Sequence, residues 1–235
     1  MSSLVGVLGG MGPMASQLFY KMVNEKTDAK NDQEHLRMLI YSDSSVPDRT
    51  KAILSGDAEE VEEVYNHIFK DFDLLKKAGC DIFVITCNTA HYFAEKIERE
   101  TQLPFINMIE ETCKCLSREN EGEKVAILAT TGTRKTELYQ EHMLDKGIIP
   151  YIPSSKVQEM VMYEIYDRVK AGKKYDAEVW CEIEKEIKKE GCKRAIMACT
   201  ELSVIKQDEH LDNFYVDPME VLAEKVIESS GKKLK

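Results

Sequence analysis

Two periods of apolar and polar residues run along this chain. Short, nearly continuous apolar runs fall at 4–8, 36–41, 82–86, 125–128, 148–152 and 195–198, with 104–107 and 214–216 as two shorter ones. Their length and β-branched content predict strands buried on both faces. Between them, apolar residues recur three and four apart, the spacing of an amphipathic helix. Val61, Val64, Ile68, Phe72 and Leu75 follow the N-cap candidate Asp57, and Trp180, Ile183 and Ile187 lie within 177–190. Further helices are expected from Pro13, through Ile97, through Leu116, near 135–146, over 154–170 and from Pro218. Strands alternating with helices predict an α/β fold whose parallel sheets are flanked by helices.

The pattern repeats. Gly79-Cys80-Asp81-Ile82-Phe83-Val84-Ile85-Thr86-Cys87 returns as Gly191-Cys192-Lys193-Arg194-Ala195-Ile196-Met197-Ala198-Cys199. Val5-Gly6-Val7-Leu8 leading to Gly12 parallels Val125-Ala126-Ile127-Leu128 leading to Gly132, and Phe105-Ile106-Asn107 parallels Tyr215-Val216-Asp217. Three matches in the same order indicate a duplication. They predict two pseudo-symmetric lobes, 1–117 and 118–217, joined near the polar segment 119–123, with a C-terminal helix at 218–235 packing back on the first lobe. A cleft between the lobes is the expected site.

Composition narrows the classes. The 235 residues are 43% hydrophobic and 31% charged, as in ordinary globular proteins. No apolar run approaches the ~20 residues that span a bilayer. The first residues carry no basic segment of the kind that opens a signal peptide. Seven cysteines without a CxxC pair point to a reducing, cytoplasmic setting. The net charge of −10 argues against nucleic acid as a partner, because phosphate contacts need a basic surface.

Ligands of parallel sheets bind beyond the carboxyl ends of the strands. The loop 9–12, Asp43, Cys87, Thr130, Thr131, Thr133 and Cys199 all fall there. Met11 and Gly12 belong to a glycine loop suited to a small anion, with a plain tight turn as the alternative and a nucleotide a remote third. Cys87 and Cys199 each precede an expected helix start, where a thiolate is favoured; the other five cysteines read as apolar filler. Two thiols from related halves suit attack on one substrate atom from opposite faces, as in the inversion of a stereocentre. Asn88, Thr89, Thr131, Thr133 and Thr200 offer donors for a carboxylate, with helix capping as the alternative. Arg49 is either a bidentate clamp or an ordinary surface arginine. The five histidines are scattered, so no metal cluster is expected.

Gly-Gly-Met-Gly-Pro at 9–13, Pro-Asp-Arg-Thr at 47–50, Cys-Asn-Thr-Ala-His at 87–91 and Cys-Thr-Glu-Leu at 199–202 together resemble the cofactor-independent aspartate/glutamate racemase superfamily, closest to its aspartate racemase branch. Glutamate racemases instead carry Asp-Ser near the first strand and His after the second Cys-Thr, where this chain has Gly10-Met11 and Glu201. The resemblance implies an amino-acid racemase without pyridoxal phosphate or metal, acting on an acidic amino acid, often as a homodimer. It implies that Cys87 and Cys199 are the two acid/base groups and that Arg49 recognises a side-chain carboxylate. Lys170 is its candidate for a further basic group. His91 and Glu201 are candidates for tuning the thiols, with ordinary capping or packing as the alternative for each. Alternatives are a decarboxylase or cis–trans isomerase of the same superfamily, or a non-catalytic amino-acid-binding protein.

Overall fold

The computed structural model describes residues 3–117 and 122–235. The expected linker therefore lies largely outside the described residues, at 119–121, as does residue 118 at the expected lobe boundary.

In the first sheet, β1 (Leu4–Gly9) lies between β2 (Arg37–Ser42) and β3 (Ile82–Ile85), all parallel. A single parallel bridge from Phe83 to Phe105 stands where a fourth strand was expected. The second sheet has the order β5 (Ile149–Tyr151), β4 (Lys124–Ala129), β6 (Arg194–Ala198), β7 (Tyr215–Val216), again all parallel. The repeat in the sequence is thus a repeat of strand order in space. β1, β3, β4 and β6 are buried along almost their whole length, which is why they read as continuous apolar runs. Edge strand β2 alternates between exposed and partly buried positions.

Helices cover both faces of each sheet. The apolar stripe of α3 (Ala58–Lys77) packs Val64, Ile68, Phe72 and Leu75 with Leu8, Phe83 and Ile85, and Ile97 of α4 (Ala94–Thr101) joins them. Each fully buried Leu or Phe there contributes roughly 1.5–3 kcal/mol. On the opposite face, Phe19 and Val23 of α1 (Pro13–Lys26) meet Leu222 and Val226 of α11 (Pro218–Ser229). Over the second sheet, α8 (Ser155–Tyr163) and α9 (Ala177–Lys189) supply Val157, Val161, Trp180 and Ile183. Its other face carries Ile109 and Cys113 of α5 (Met108–Ser117) with Tyr139 and Met143 of α7 (Leu138–Leu144). The halves thus exchange helices: α5 leans on the second sheet and α11 on the first.

Some local expectations change. The helix expected near 135–146 is two pieces, α6 (Thr131–Lys135) and α7, separated by Glu137 in a left-handed conformation. The helix expected over 154–170 stops at Tyr163 and continues as a π-helical turn, Glu164–Val169, closed by the Lys170 N–H on the Ile165 carbonyl. Glu164 is fully buried and anchors this wide turn by accepting the Asp176 N–H. Arg49 and Thr50 open a helix that periodicity did not signal, α2 (Arg49–Ser55), capped by the Asp48 carboxylate on the Lys51 N–H. Cys115 and Cys181 are exposed rather than buried filler, and all seven cysteines are free thiols. Among the described residues no helix is long and apolar enough to cross a membrane.

Gly10 closes the β1 loop with a φ of +91°, and a Cβ there would lie 2.3 Å from the Asp43 backbone. Only glycine tolerates both demands. The loop can therefore cross the end of β2 closely enough for the Asp43 N–H to reach the Gly9 carbonyl at 3.2 Å.

Candidate active site

The carboxyl ends of β3 and β6 deliver the two repeated cysteines. Cys199 is the N-cap residue of α10 (Thr200–Glu209). Cys87 is followed by a short 3-10 helix, Thr89–Phe93, before α4 begins, so the α-helical N-terminus expected directly after it is absent. Both thiols are almost enclosed, at 5% and 6% exposure.

Their surroundings differ. The Cys199 Sγ donates to Glu201 Oε2 at 2.9 Å, and Glu201 Oε1 faces Lys170 Nζ at 3.0 Å. Burial pushes the Cys199 thiol well above its ordinary range, the Glu201 charge adds to the effect, and Lys170 opposes it. Burial also works against the Lys170 charge, but Glu201, Cys199 and Cys87 together hold the ammonium above its usual pKa. Lys170 thus carries charge that bears on both thiols, and it stands immediately after the π-turn whose last bond its own N–H closes. Gly12 leaves room for this network, since a Cβ there would stand 2.9 Å from Glu201 Oε1.

Cys87 faces an arginine instead. Arg49 Nη1 donates to the Val46 and Pro47 carbonyls at 3.2 and 3.1 Å, and Nη2 to the Met11 carbonyl at 3.2 Å. Its Nε is buried without an acceptor. Burial opposes the guanidinium charge, but the Cys87 sulfur and Asp48 offset it, so the pKa is raised. Arg49 is therefore both a strut between the loops after β1 and β2 and the cation beside Cys87.

His91 is a neutral fastener. The Met108 N–H donates to its Nε2 at 3.1 Å, so Nδ1 carries the proton and donates to the Cys87 carbonyl at 2.9 Å. Burial holds its pKa down at about 4. Asn88 Oδ1 accepts from Tyr139, a fully buried residue that the sequence did not single out, while Asn88 Nδ2 is buried without a partner. An enclosed amide with one oriented end and one unspent donor is a group waiting for an acceptor. The Thr89 hydroxyl lies 3.0 Å from that of Thr130 and 2.9 Å from that of Thr133, tying the lobes together. Thr130 also caps α6 by accepting the Thr133 N–H. The Thr131 N–H points at the Met162 sulfur, and the Thr200 hydroxyl donates to the Thr86 carbonyl at 3.4 Å.

A cleft of about 340 Å³ opens above this network. Met11, Gly12, Arg49, Lys170 and Glu201 line it, with Asp48 at its edge held by the Tyr166 hydroxyl from the other lobe. Cys87, Cys199, Asn88, Thr89, Thr133 and Thr200 are enclosed and do not form its wall; Thr131 is half-buried at the start of α6. The loop after β1 also spends one amide internally, because the Gly10 N–H donates to the Ser16 hydroxyl at 2.9 Å. Asp43 turns away to cap its own loop through Ser45. Tyr139 and Tyr166 carried no sequence signal, because their partners lie far along the chain.

Residues 8–226 match the model of the Asp/Glu/hydantoin racemase family. The chain superposes on the aspartate racemase of Picrophilus torridus with a TM-score of 0.79 and 30% identity, covering 99% of this chain and 96% of that one. It superposes on the glutamate racemase of Aquifex pyrophilus with a TM-score of 0.61 and 18% identity, over 96% and 83% of the two chains, a likeness of fold. It is 29% identical over 148 residues to the broad specificity amino-acid racemase RacX of Bacillus subtilis. That stretch is 61% of this chain and 62% of RacX, less than two thirds of the relative's length.

Proposed function

The chain belongs to the Asp/Glu/hydantoin racemase family, and on that premise we propose that it interconverts the L and D forms of aspartate, using Cys87 and Cys199 as paired acid and base. One observation carries the reading. Two enclosed thiols stand just past equivalent strand ends of separate lobes, one of them joined through Glu201 to the Lys170 ammonium that lines the cleft. A substrate Cα placed between them is reached from opposite faces.

The chemical problem is a weakly acidic Cα–H. A thiolate on one face takes the proton while a thiol on the other gives one, so the configuration inverts and neither transfer calls on a cofactor. Negative charge grows on the α-carboxylate in the transition state, and fixed donors in an enclosed site stabilise it most effectively. Asn88 Nδ2 is the donor suited to that role, because it is buried, oriented by Tyr139 and unspent. Arg49 retains its Nε–H for a side-chain carboxylate, and Lys170 supplies the second positive charge. Glu201 and His91 act through the cysteines they hold. Met11 and Gly12 shape the wall, Thr89, Thr133 and Thr200 keep the two lobes in register, and Thr131 offers its hydroxyl at the start of α6.

A second reading has its own support: Met11, Met14, Val46, Val169 and Val204 give the cleft an apolar wall that suits neutral side chains. The two readings separate in one assay. The protein is incubated with L-aspartate, L-glutamate, L-alanine and L-serine in the absence of pyridoxal phosphate, and the enantiomers are resolved by chiral chromatography. D-aspartate should form fastest. Faster turnover of the neutral amino acids would favour the second reading, and no inversion of any would overturn both.

A further inference from the structure

The two thiols occupy equivalent places in the repeat but have unlike neighbours. The positive charges that bear on Cys87 are those of Arg49 and Lys170, and its carbonyl accepts from neutral His91 at 2.9 Å. Cys199 faces the Glu201 carboxylate, with Lys170 on that carboxylate's other oxygen and the Tyr139 hydroxyl in the background. A sulfur 2.9 Å from a carboxylate oxygen needs a proton between the two atoms, since an unprotonated pair would set two negative charges in contact. A sulfur beside a guanidinium has the opposite preference.

We propose that Glu201 sets the protonation order of the pair: it keeps the proton on Cys199 in the resting protein, leaving Cys87, beside Arg49, as the thiolate. Glu201 is thus a positioning residue that makes a symmetric fold chemically asymmetric. This rests on the racemase reading and adds a direction to it. In the forward turn the Cys87 thiolate takes the Cα proton and the Cys199 S–H bond breaks to protonate Cα from the opposite face. The protein is left with a Cys87 thiol and a Cys199 thiolate. That second form sets the Cys199 thiolate against the Glu201 carboxylate and is the less stable one. It accepts the opposite enantiomer, or it returns to the resting form by moving one proton through solvent. A racemisation has an equilibrium constant of unity, so kcat/KM is the same in both directions. The asymmetry is confined to kcat and KM taken separately.

Thiol labelling tests the order without any substrate. Iodoacetamide alkylates thiolates, and peptide mass spectrometry resolves each cysteine, so exposed Cys115 and Cys181 are scored apart. Cys87 and Cys199 are both almost enclosed, so each rate is followed across pH and its midpoint reports ionisation. At neutral pH Cys87 should label at least about tenfold faster than Cys199, the ratio that one unit of differential ionisation gives. In Glu201→Gln the carboxylate charge is gone and Lys170 is left unpaired. The pH midpoint of Cys199 labelling should then fall by at least about one unit, and by more than that of Cys87, which has no contact with Glu201 to lose. The midpoint does not depend on how easily the reagent reaches the sulfur. Lys170→Met gives an independent check, because it leaves Glu201 in place and should move the Cys199 midpoint upward. Cys199 labelling as fast as Cys87 in the unaltered protein would overturn the proposal, as would an unmoved midpoint in Glu201→Gln. A protein that inverts no amino acid yet labels in this order would sink the racemase reading and leave the protonation order standing.

Discussion

Cys87→Ser and Cys199→Ser should each lower kcat/KM for the proposed aspartate racemisation by at least about a thousandfold, within the range that a positioned proton-transfer group contributes. Serine keeps the shape of the side chain to within one atom, so the enclosed sites at the ends of β3 and β6 should stay packed. What it removes is ionisation near neutral pH, because a hydroxyl holds its proton far more tightly than a thiol. The two losses should be of similar size, since inversion needs both faces and neither half-reaction substitutes for the other. Losses of residues that act as a unit do not add, so the double variant should be scarcely worse than either single one. Cys181→Ser, on the exposed face of α9, is the matched control and should leave the rate unchanged. Full racemisation by either single variant would remove the two-thiol scheme.

Arg49→Lys should cost about thirtyfold or more on aspartate and glutamate, and little on alanine or serine. Losing one partner of an enclosed charge pair is worth roughly 2–5 kcal/mol. Lysine keeps the charge but has no planar fork, so it cannot hold the Val46, Pro47 and Met11 carbonyls and still present an N–H to a carboxylate. Part of the effect will be structural, because those carbonyls tie the loop after β1 to α2. Urea unfolding measures that part, and each lost bond should contribute about 1 kcal/mol. Equal losses of kcat/KM on acidic and neutral substrates would mean that Arg49 holds the cleft together and reads no side-chain carboxylate.

The fold was legible in the sequence because fully buried strands and amphipathic helices carry different periods. The repeat then showed that the scheme occurs twice. Cys87 and Cys199 stood out because a polar, reactive residue just past an apolar run sits at a sheet's binding edge. The less legible features share a physical cause. The bond from Cys199 to Glu201 depends on which way α10 points its first turn. The approach of Lys170 depends on one π-turn, anchored by Glu164 and Asp176, that no periodicity announces. Helix α2 is too short for an apolar stripe, and its start at Arg49 is marked only by the cap at Asp48. The threonines illustrate a reading that sequence leaves open. Thr130 does cap a helix, and the same hydroxyl joins Thr89 across the lobes.

Isotope incorporation in D₂O is the most direct test of inversion by two thiols. L-aspartate is allowed to react to a few per cent, and deuterium at Cα is measured separately in the D product and in the recovered L substrate. One thiol gives a solvent-derived deuteron while the other holds the proton it removed and can return it. The D product should therefore carry deuterium at Cα from the earliest time, while recovered L-aspartate stays protiated. Protium retained in the D product, or deuterium entering both enantiomers at one rate, would mean that a single base serves both faces.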